Sequence, residues 1–347
     1  MRRRTRPRRV RRKGASHARK HLVPLYTLPE RHTSYETALL KSIVSGRDSS
    51  KVSKHALMFY SLLADTTPST RALNYRHGIA IGRSLYLLYA RARNYSLYEE
   101  SVADLVSFFE NAGCGRVTYN ALPHMVRIGM PDMLHLSLGM NIHMFEAGLI
   151  AGFLTASKGQ ITHVFEKTCS SNSATSCEFY SSITAYGEDS NSAKDAFDAF
   201  VEEASRRVSS KEPQYERSIT NEYYVLSSLV LLDSKYFNEM RAIANYLGSR
   251  LAANLGLEIM TPRRMFKAVE RSVELLNLGI EGIKVSGTDI TLKFGKLHSR
   301  KAFADLSVAF LHGLLRNSLK GADIRVKGLI SNGAYSVRLS MGKPAKG

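Results

Sequence analysis

The most strongly patterned stretch of the chain runs from Val126 to Ser182. Val126 and Ile128 alternate with polar neighbours, the period-two signature of a strand. From about Met140 to Ser157 apolar residues dominate and predict a buried helix. Lys158-Gly159 stops it, because a glycine just past a helix accepts the left-handed conformation that ends the turn. Ile161 and Val164 then alternate again and predict a strand. It leads into Glu166-x-x-Cys169 and, further on, Cys177-x-Phe179.

The flanking chain reads as helices punctuated by caps and breakers. Thr33-x-x-Glu36 has the form of a capping box ahead of Ala38, Leu39, Ile43 and Val44, and Gly46 ends that helix. A second helix is predicted from about Lys51 to Ala64, stopped by Thr66-Thr67-Pro68. A third passes through Ile79, Gly82, Leu85 and Leu88. Ser96-x-x-Glu99 then caps a fourth, through Val102, Leu105, Val106 and Phe109, closed by Gly113. Val117 and Tyr119 begin a strand. After Tyr186 come a polar loop from Gly187, a helix from Ala193 to Val208 with Phe197, Phe200 and Val201 on one face, and a linker from Ser209 to Glu216. The apolar run from Tyr224 to Leu232 fits a helix or a buried strand.

The later part of the chain repeats landmarks of the earlier part. Gly82 matches Gly248 at an offset of 166, and Ser96 matches Thr261 at 165, with Pro262 at the favoured first helical position. Gly113 matches Gly279 at 166, and Lys158-Gly159 matches Lys320-Gly321 at 162. Landmarks in one order at nearly constant offset predict a duplication. The expected organisation is a basic arm (1–22), a helical segment (23–70), a first domain (71–186), an acidic helix and linker (187–217), a second copy (218–340) and a tail (341–347).

The motif from Phe145 through Gly148 and Gly152, then Gly159, a strand, Glu166-x-x-Cys169 and Cys177-x-Phe179, resembles the 4-vinyl reductase domain family. That family is related to the TRAPP-component fold of vesicle-tethering subunits. The resemblance reaches upstream to about Tyr75. It implies an α/β (α+β) fold of tandem 4-vinyl-reductase/TRAPP-like domains, the second degenerate, paired as an internal pseudo-dimer open to further dimerisation. Such domains resemble small ligand-binding or dimerisation modules, some with a cysteine cluster suspected of metal binding, and the family fixes no enzymatic activity.

Charge changes the picture at one end. Of a net charge of +19, eleven units come from Arg2, Arg3, Arg4, Arg6, Arg8, Arg9, Arg11, Arg12, Lys13, Arg19 and Lys20, among which no acid intervenes. Such an arm is expected to be disordered alone and to bind a polyanion with strong salt dependence. Its arginine excess suits bidentate phosphate contact and stacking on bases. In the second copy Arg263, Lys267 and Arg271 recur every fourth residue beside Arg264, so one helical face is expected to be positive; Glu270 and Glu274 offset it. Lys293, Lys296, Arg300, Lys301, Lys320, Arg325, Lys327 and Arg338 add to the basicity.

Candidate chemistry is sparse. Three cysteines suit a reducing cytosol better than a disulfide framework, and the arginine run is not followed by the apolar core of a signal peptide. The apolar window from Met133 to Leu154 contains His135, Asn141, His143 and Glu146, which argues against a membrane span. Cys169 and Cys177 lie too far apart for a standard zinc knuckle, and a four-ligand set would need His163 and Cys114; buried apolar cysteines, no metal and no cofactor are the expectation. Phe145, Glu166, Cys169 and Cys177 mark the candidate ligand pocket. His124, His135 and His143 show no helical ligand spacing, and no Walker or dinucleotide motif is present.

These features predict a non-enzymatic, cytoplasmic protein bound to nucleic acid, RNA rather than DNA and the ribosome above all. Arms mixing Arg with Gly, Ala, Ser and His resemble those of ribosomal proteins. A small-molecule- or metal-sensing DNA-binding regulator is the leading alternative, and a TRAPP-like protein–protein scaffold the next.

Overall fold

Residues 34–46, 50–95, 97–122, 125–131, 138, 141–169, 176–182, 193–210, 218–229, 236–286, 289–294, 301–318, 323–331 and 334–342 are described by the computed structural model. In chain order the first half comprises α1 (Ser34–Val44), β1 (Lys51–Ser53), α2 (Lys54–Ala64), α3 (Pro68–Ala92), α4 (Tyr98–Asn111), β2 (Thr118–Leu122), β3 (Met125–Met130), α5 (Met144–Lys158), β4 (His163–Thr168) and β5 (Cys177–Ser182). The second half comprises α6 (Ala193–Ser209), β6 (Ser218–Thr220), α7 (Asn221–Ser228), α8 (Phe237–Leu255), α9 (Pro262–Leu275), β7 (Ile280–Ser286), β8 (Asp289–Phe294), α10 (Lys301–Ser318), β9 (Asp323–Ser331) and β10 (Ala334–Gly342). The sheets have the orders β2-β3-β5-β4 and β7-β8-β10-β9, all neighbours antiparallel. The fold is thus mixed helix and sheet, with small antiparallel sheets. Among the described residues one succession of ten α-helices and strands occurs twice, with one strand order.

The halves meet in a third, two-stranded ribbon. β1 pairs antiparallel with β6, Val52 opposite Ile219. Beside it α2 is buried almost all round, because it packs elements of both halves: Phe59 meets Phe200 at 6.1 Å and Phe310 at 5.4 Å, and Tyr60 meets Tyr224 at 5.4 Å between ring centroids.

Within each half a long helix pair crosses at glycine. A Cβ on Gly82 of α3 would stand 2.0 Å from the Leu149 carbonyl oxygen, and one on Gly152 of α5 would stand 2.1 Å from that of Ile79. In α8 and α10 a Cβ on Gly248 would fall 2.0 Å from the Phe310 carbonyl oxygen and one on Gly313 1.9 Å from that of Asn245. Side chains there would force the backbones apart, so the apolar faces of the pair could not close.

Several boundaries differ from the sequence reading. Lys51–Ser53 is a strand, and the helix begins at Lys54 with Ser53 as its cap. Thr67 and Pro68, read as a stop, also start α3: the Thr67 hydroxyl accepts from the Thr70 N–H at 3.2 Å, and Pro68 needs no donor in the first turn. Ser96 lies outside the described residues; α4 is capped one residue later, the Leu97 N–H donating to Glu100 rather than to Glu99 at 3.4 Å. The apolar helix starts at Met144, not Met140, and ends at Gly159 with φ of 65°. Ile161 precedes β4 and is 47% exposed. The run from Tyr224 is helical to Ser228, in α7, and residues 230–232 lie outside the described residues. Among the described residues no helix is long and apolar enough to cross a membrane. The arm, His124, His135, Lys296, Arg300, Lys320-Gly321 and residues 343–347 of the tail lie outside the described residues, and the start of the tail, Met341 and Gly342, belongs to β10.

Candidate metal centre

Four side chains converge where the start of α5 meets the β4–β5 hairpin. β4 buries Val164 and Glu166 by ordinary alternation, and a register shift follows: Glu166 pairs with Phe179, but Thr168 pairs with the very next residue, Glu178. Lys167 is the extra residue of this bulge. The inward phase therefore skips one position, and Cys169 is buried like Glu166. This is the physical meaning of the Glu-x-x-Cys spacing, which a regular strand would split between its two faces. Cys177 opens β5, opposite Met130, and is also buried. His143 immediately precedes α5 and brings its imidazole in from the other side, edge-on to the Phe179 ring at 6.2 Å.

The ligand atoms of His143, Glu166, Cys169 and Cys177 all lie within 4.8 Å of one another. His143 Nδ1 is 2.7 Å from Glu166 Oε1 and 3.3 Å from Cys169 Sγ, and the two sulfurs are 3.9 Å apart. Sulfurs bound at about 2.3 Å to a tetrahedral ion stand about 3.8 Å apart. The donor set of one nitrogen, one oxygen and two sulfurs suits zinc. Glu166 Oε2 and His143 Nε2 are buried and make no hydrogen bond among the described residues.

Electrostatics point the same way. Burial pushes Glu166 above the ordinary carboxylate range and Cys169 above the ordinary thiol range. Burial disfavours the His143 imidazolium, but Cys177, Glu166 and Cys169 around it win and raise its pKa. Without a cation the cluster is an enclosed set of groups competing for protons. A divalent cation reverses that logic, taking thiolates and carboxylate as ligands and a neutral imidazole.

These positions correct the sequence reading in four respects. The cysteines Cys169 and Cys177 are buried in a polar cluster, not as bland apolar fillers. His143 completes the set, whereas His163 is on the opposite face of β4, in register with Ser182. Cys114 is apart, beside the Tyr223 hydroxyl, its thiol pushed up to about 12 by burial. Phe145 does not join the cluster: its ring packs on His77 at 5.5 Å and Tyr223 at 6.0 Å. His143 was missed as a partner because nothing in linear spacing ties it to Glu166, 23 residues on.

A support layer surrounds the centre. Asn141 Nδ2 donates to the Glu166 carbonyl at 3.2 Å, and Arg71 donates to the Asn141 carbonyl at 3.0 Å. Asp65 accepts from the Met144 N–H at 3.2 Å and from Asn74 Nδ2 at 2.9 Å. Glu146, one turn into α5, accepts from the Tyr223 hydroxyl of α7 at 2.8 Å.

The cationic candidates of the second half fare unevenly. Arg263, Arg264 and Lys267 are exposed on α9, as are Glu270 and Glu274. Arg271 is half-buried and donates to the Val208 carbonyl at 3.1 Å, tying α9 to α6. The β9–β10 hairpin, the place in the second half that β4–β5 holds in the first, has neither cysteine nor histidine, and its register runs without a shift. No family model, no curated protein and no solved structure matches this chain.

Proposed function

We propose that this chain is a non-enzymatic nucleic-acid-binding protein whose first half is closed around a zinc-type metal centre. The observation behind the metal is the buried donor set of His143, Glu166, Cys169 and Cys177. Four protein ligands fill a tetrahedral ion and leave no position for substrate, which favours a structural over a catalytic metal. Its role would be to fasten the start of α5 to the β4–β5 hairpin.

The nucleic-acid half of the reading rests on charge: eleven cations in the first twenty residues, and the exposed Arg263, Arg264 and Lys267. Structured RNA is the favoured partner, with ribosomal particles as its setting. The repeated element order, strand order and glycine crossings support a tandem 4-vinyl-reductase/TRAPP-like duplication, paired as a pseudo-dimer about the β1–β6 ribbon. A regulator whose DNA binding follows metal occupancy is the second reading, favoured by the centre lying at a joint between helix and sheet.

One preparation tests these readings. The full chain purified from its native cells should hold one zinc per chain by mass spectrometry of the elements, and Cys177→Ser should lose it. In sucrose gradients the protein should move with ribosomal particles and leave them as salt rises. A chain that stays at the top with and without nuclease defeats the RNA reading. Nucleic-acid affinity that tracks chelation selects the regulator.

A further inference from the structure

Among the described residues, the outer face of the second sheet offers a surface suited to a polyanion. On its inner face Ile290, Leu292, Phe294 and Val337 are buried, with α10 packed against the sheet. Alternation therefore turns the intervening positions outward. The register sets Lys284 of β7 opposite Thr291 of β8, Thr291 opposite Arg338 of β10, and Arg338 opposite Lys327 of β9. One row across all four strands thus reads Lys, Thr, Arg, Lys and spans about 14 Å at the usual strand spacing. The adjoining row places Lys293 between Gly282 and Ser336. Lys284, Lys293 and Arg338 are exposed, and neither row contains an acid. The acids stand at the margins: Glu281 at a bulge, Asp289 and Asp323 at strand ends.

We infer that this row is a docking surface for the phosphodiester backbone of a single-stranded nucleic acid, RNA by preference. The inference rests on the nucleic-acid reading above and moves its centre in the second half from α9 to the sheet. Three features support it. Charge is complementary: Lys284, Lys293 and Arg338 are exposed cations, and no acid stands in either row. A four-stranded face is broader than the helix or two-stranded ribbon that the major groove of a duplex admits, whereas the backbone of a single strand can track a positively charged surface. On α9, by contrast, two exposed glutamates accompany the three exposed cations.

The test uses the full chain and a fluorescein-labelled oligouridylate, followed by anisotropy over a salt series. Replacing Lys284, Lys293 and Arg338 together by Gln removes charge while keeping hydrogen-bonding side chains of similar reach. Binding should weaken at least about tenfold, and the slope of log affinity against log salt should fall by about two, as expected for three lost contacts to a single strand. A Lys284→Arg and Lys293→Arg variant should bind like the parent. Unchanged thermal unfolding and zinc content exclude a folding defect; if the triple variant unfolds, each single Gln change should lower the slope by a fraction of a unit to one unit. Parent-like binding by a folded triple variant overturns the sheet surface, as does loss confined to Arg263→Gln and Lys267→Gln, or tighter binding of a duplex. Absence of binding by the parent itself would instead defeat the nucleic-acid reading as a whole.

Discussion

Cys169 and Cys177 face each other across the mouth of the β4–β5 hairpin with their sulfurs 3.9 Å apart. Both are buried, and the same His143 nitrogen that touches Cys169 also meets Glu166. Replacing either cysteine by Ser, or His143 by Ala, should abolish stoichiometric zinc and lower the thermal midpoint. A strong chelator should lower the parent's midpoint toward that of Cys177→Ser and leave the variant's own midpoint unmoved. Equal chelator sensitivity in both would remove the metal centre from the account.

The glycine crossings make a second, metal-independent prediction. Gly152→Ala places a methyl 2.1 Å from the Ile79 carbonyl oxygen, a contact that only backbone separation can relieve. Overpacking of this kind costs about 1–3 kcal/mol, more where backbone must move. Gly313→Ala should cost a similar amount in the second half. Gly159→Ala, where nothing lies within 4 Å, tests strain alone and should cost less. Denaturant unfolding of the three variants gives the ranking.

Asp65 predicts a pH dependence. Burial, outweighing Arg71, Asn74 and the Met144 N–H, raises its carboxyl from 3.8 to about 7. The folded value exceeds the unfolded one, so its contribution is fully present below 3.8 and is lost as pH rises through about 7. Relative to Asp65→Asn, the parent should therefore lose stability between pH 4 and 8, by up to about 4 kcal/mol. Denaturant midpoints of the two proteins across that range, taken as a difference, isolate this group. A flat difference would show that Asp65 titrates as in the unfolded chain.

The Tyr223–Glu146 hydrogen bond joins the halves through buried groups. Tyr223→Phe leaves the Glu146 carboxyl, already raised by burial, without that donor. A loss of about 1–3 kcal/mol is expected, largely relieved in the double variant with Glu146→Leu. A double-mutant cycle measures the coupling.

How much of this was legible in the chain depended on range. Local signals were read well: Gly159 ends α5 and Pro262 starts α9, and of the repeated glycines Gly82 and Gly248 lie at helix crossings. Signals that depend on a partner strand were not. The bulge at Lys167 exists only in the pairing of β4 with β5, so Glu166-x-x-Cys169 could be seen without its geometry being understood. The same holds for His143 over His163, because the choice is made by which face of β4 looks inward. β1 is three residues long and has strand form only because β6 pairs with it from the other half.

That short ribbon bears on how the chain is made. Lys51 is translated long before its partner Thr220, and Ser53 before Ser218. A growing polypeptide must therefore carry β1 as an unsatisfied edge, and α2 with much of its greasy surface uncovered, until about 165 further residues have been added. Contacts so distant in sequence form late and slowly. Ribosomal pausing, chaperone capture and truncation products of this protein should all focus on that interval, before β6 and α7 arrive.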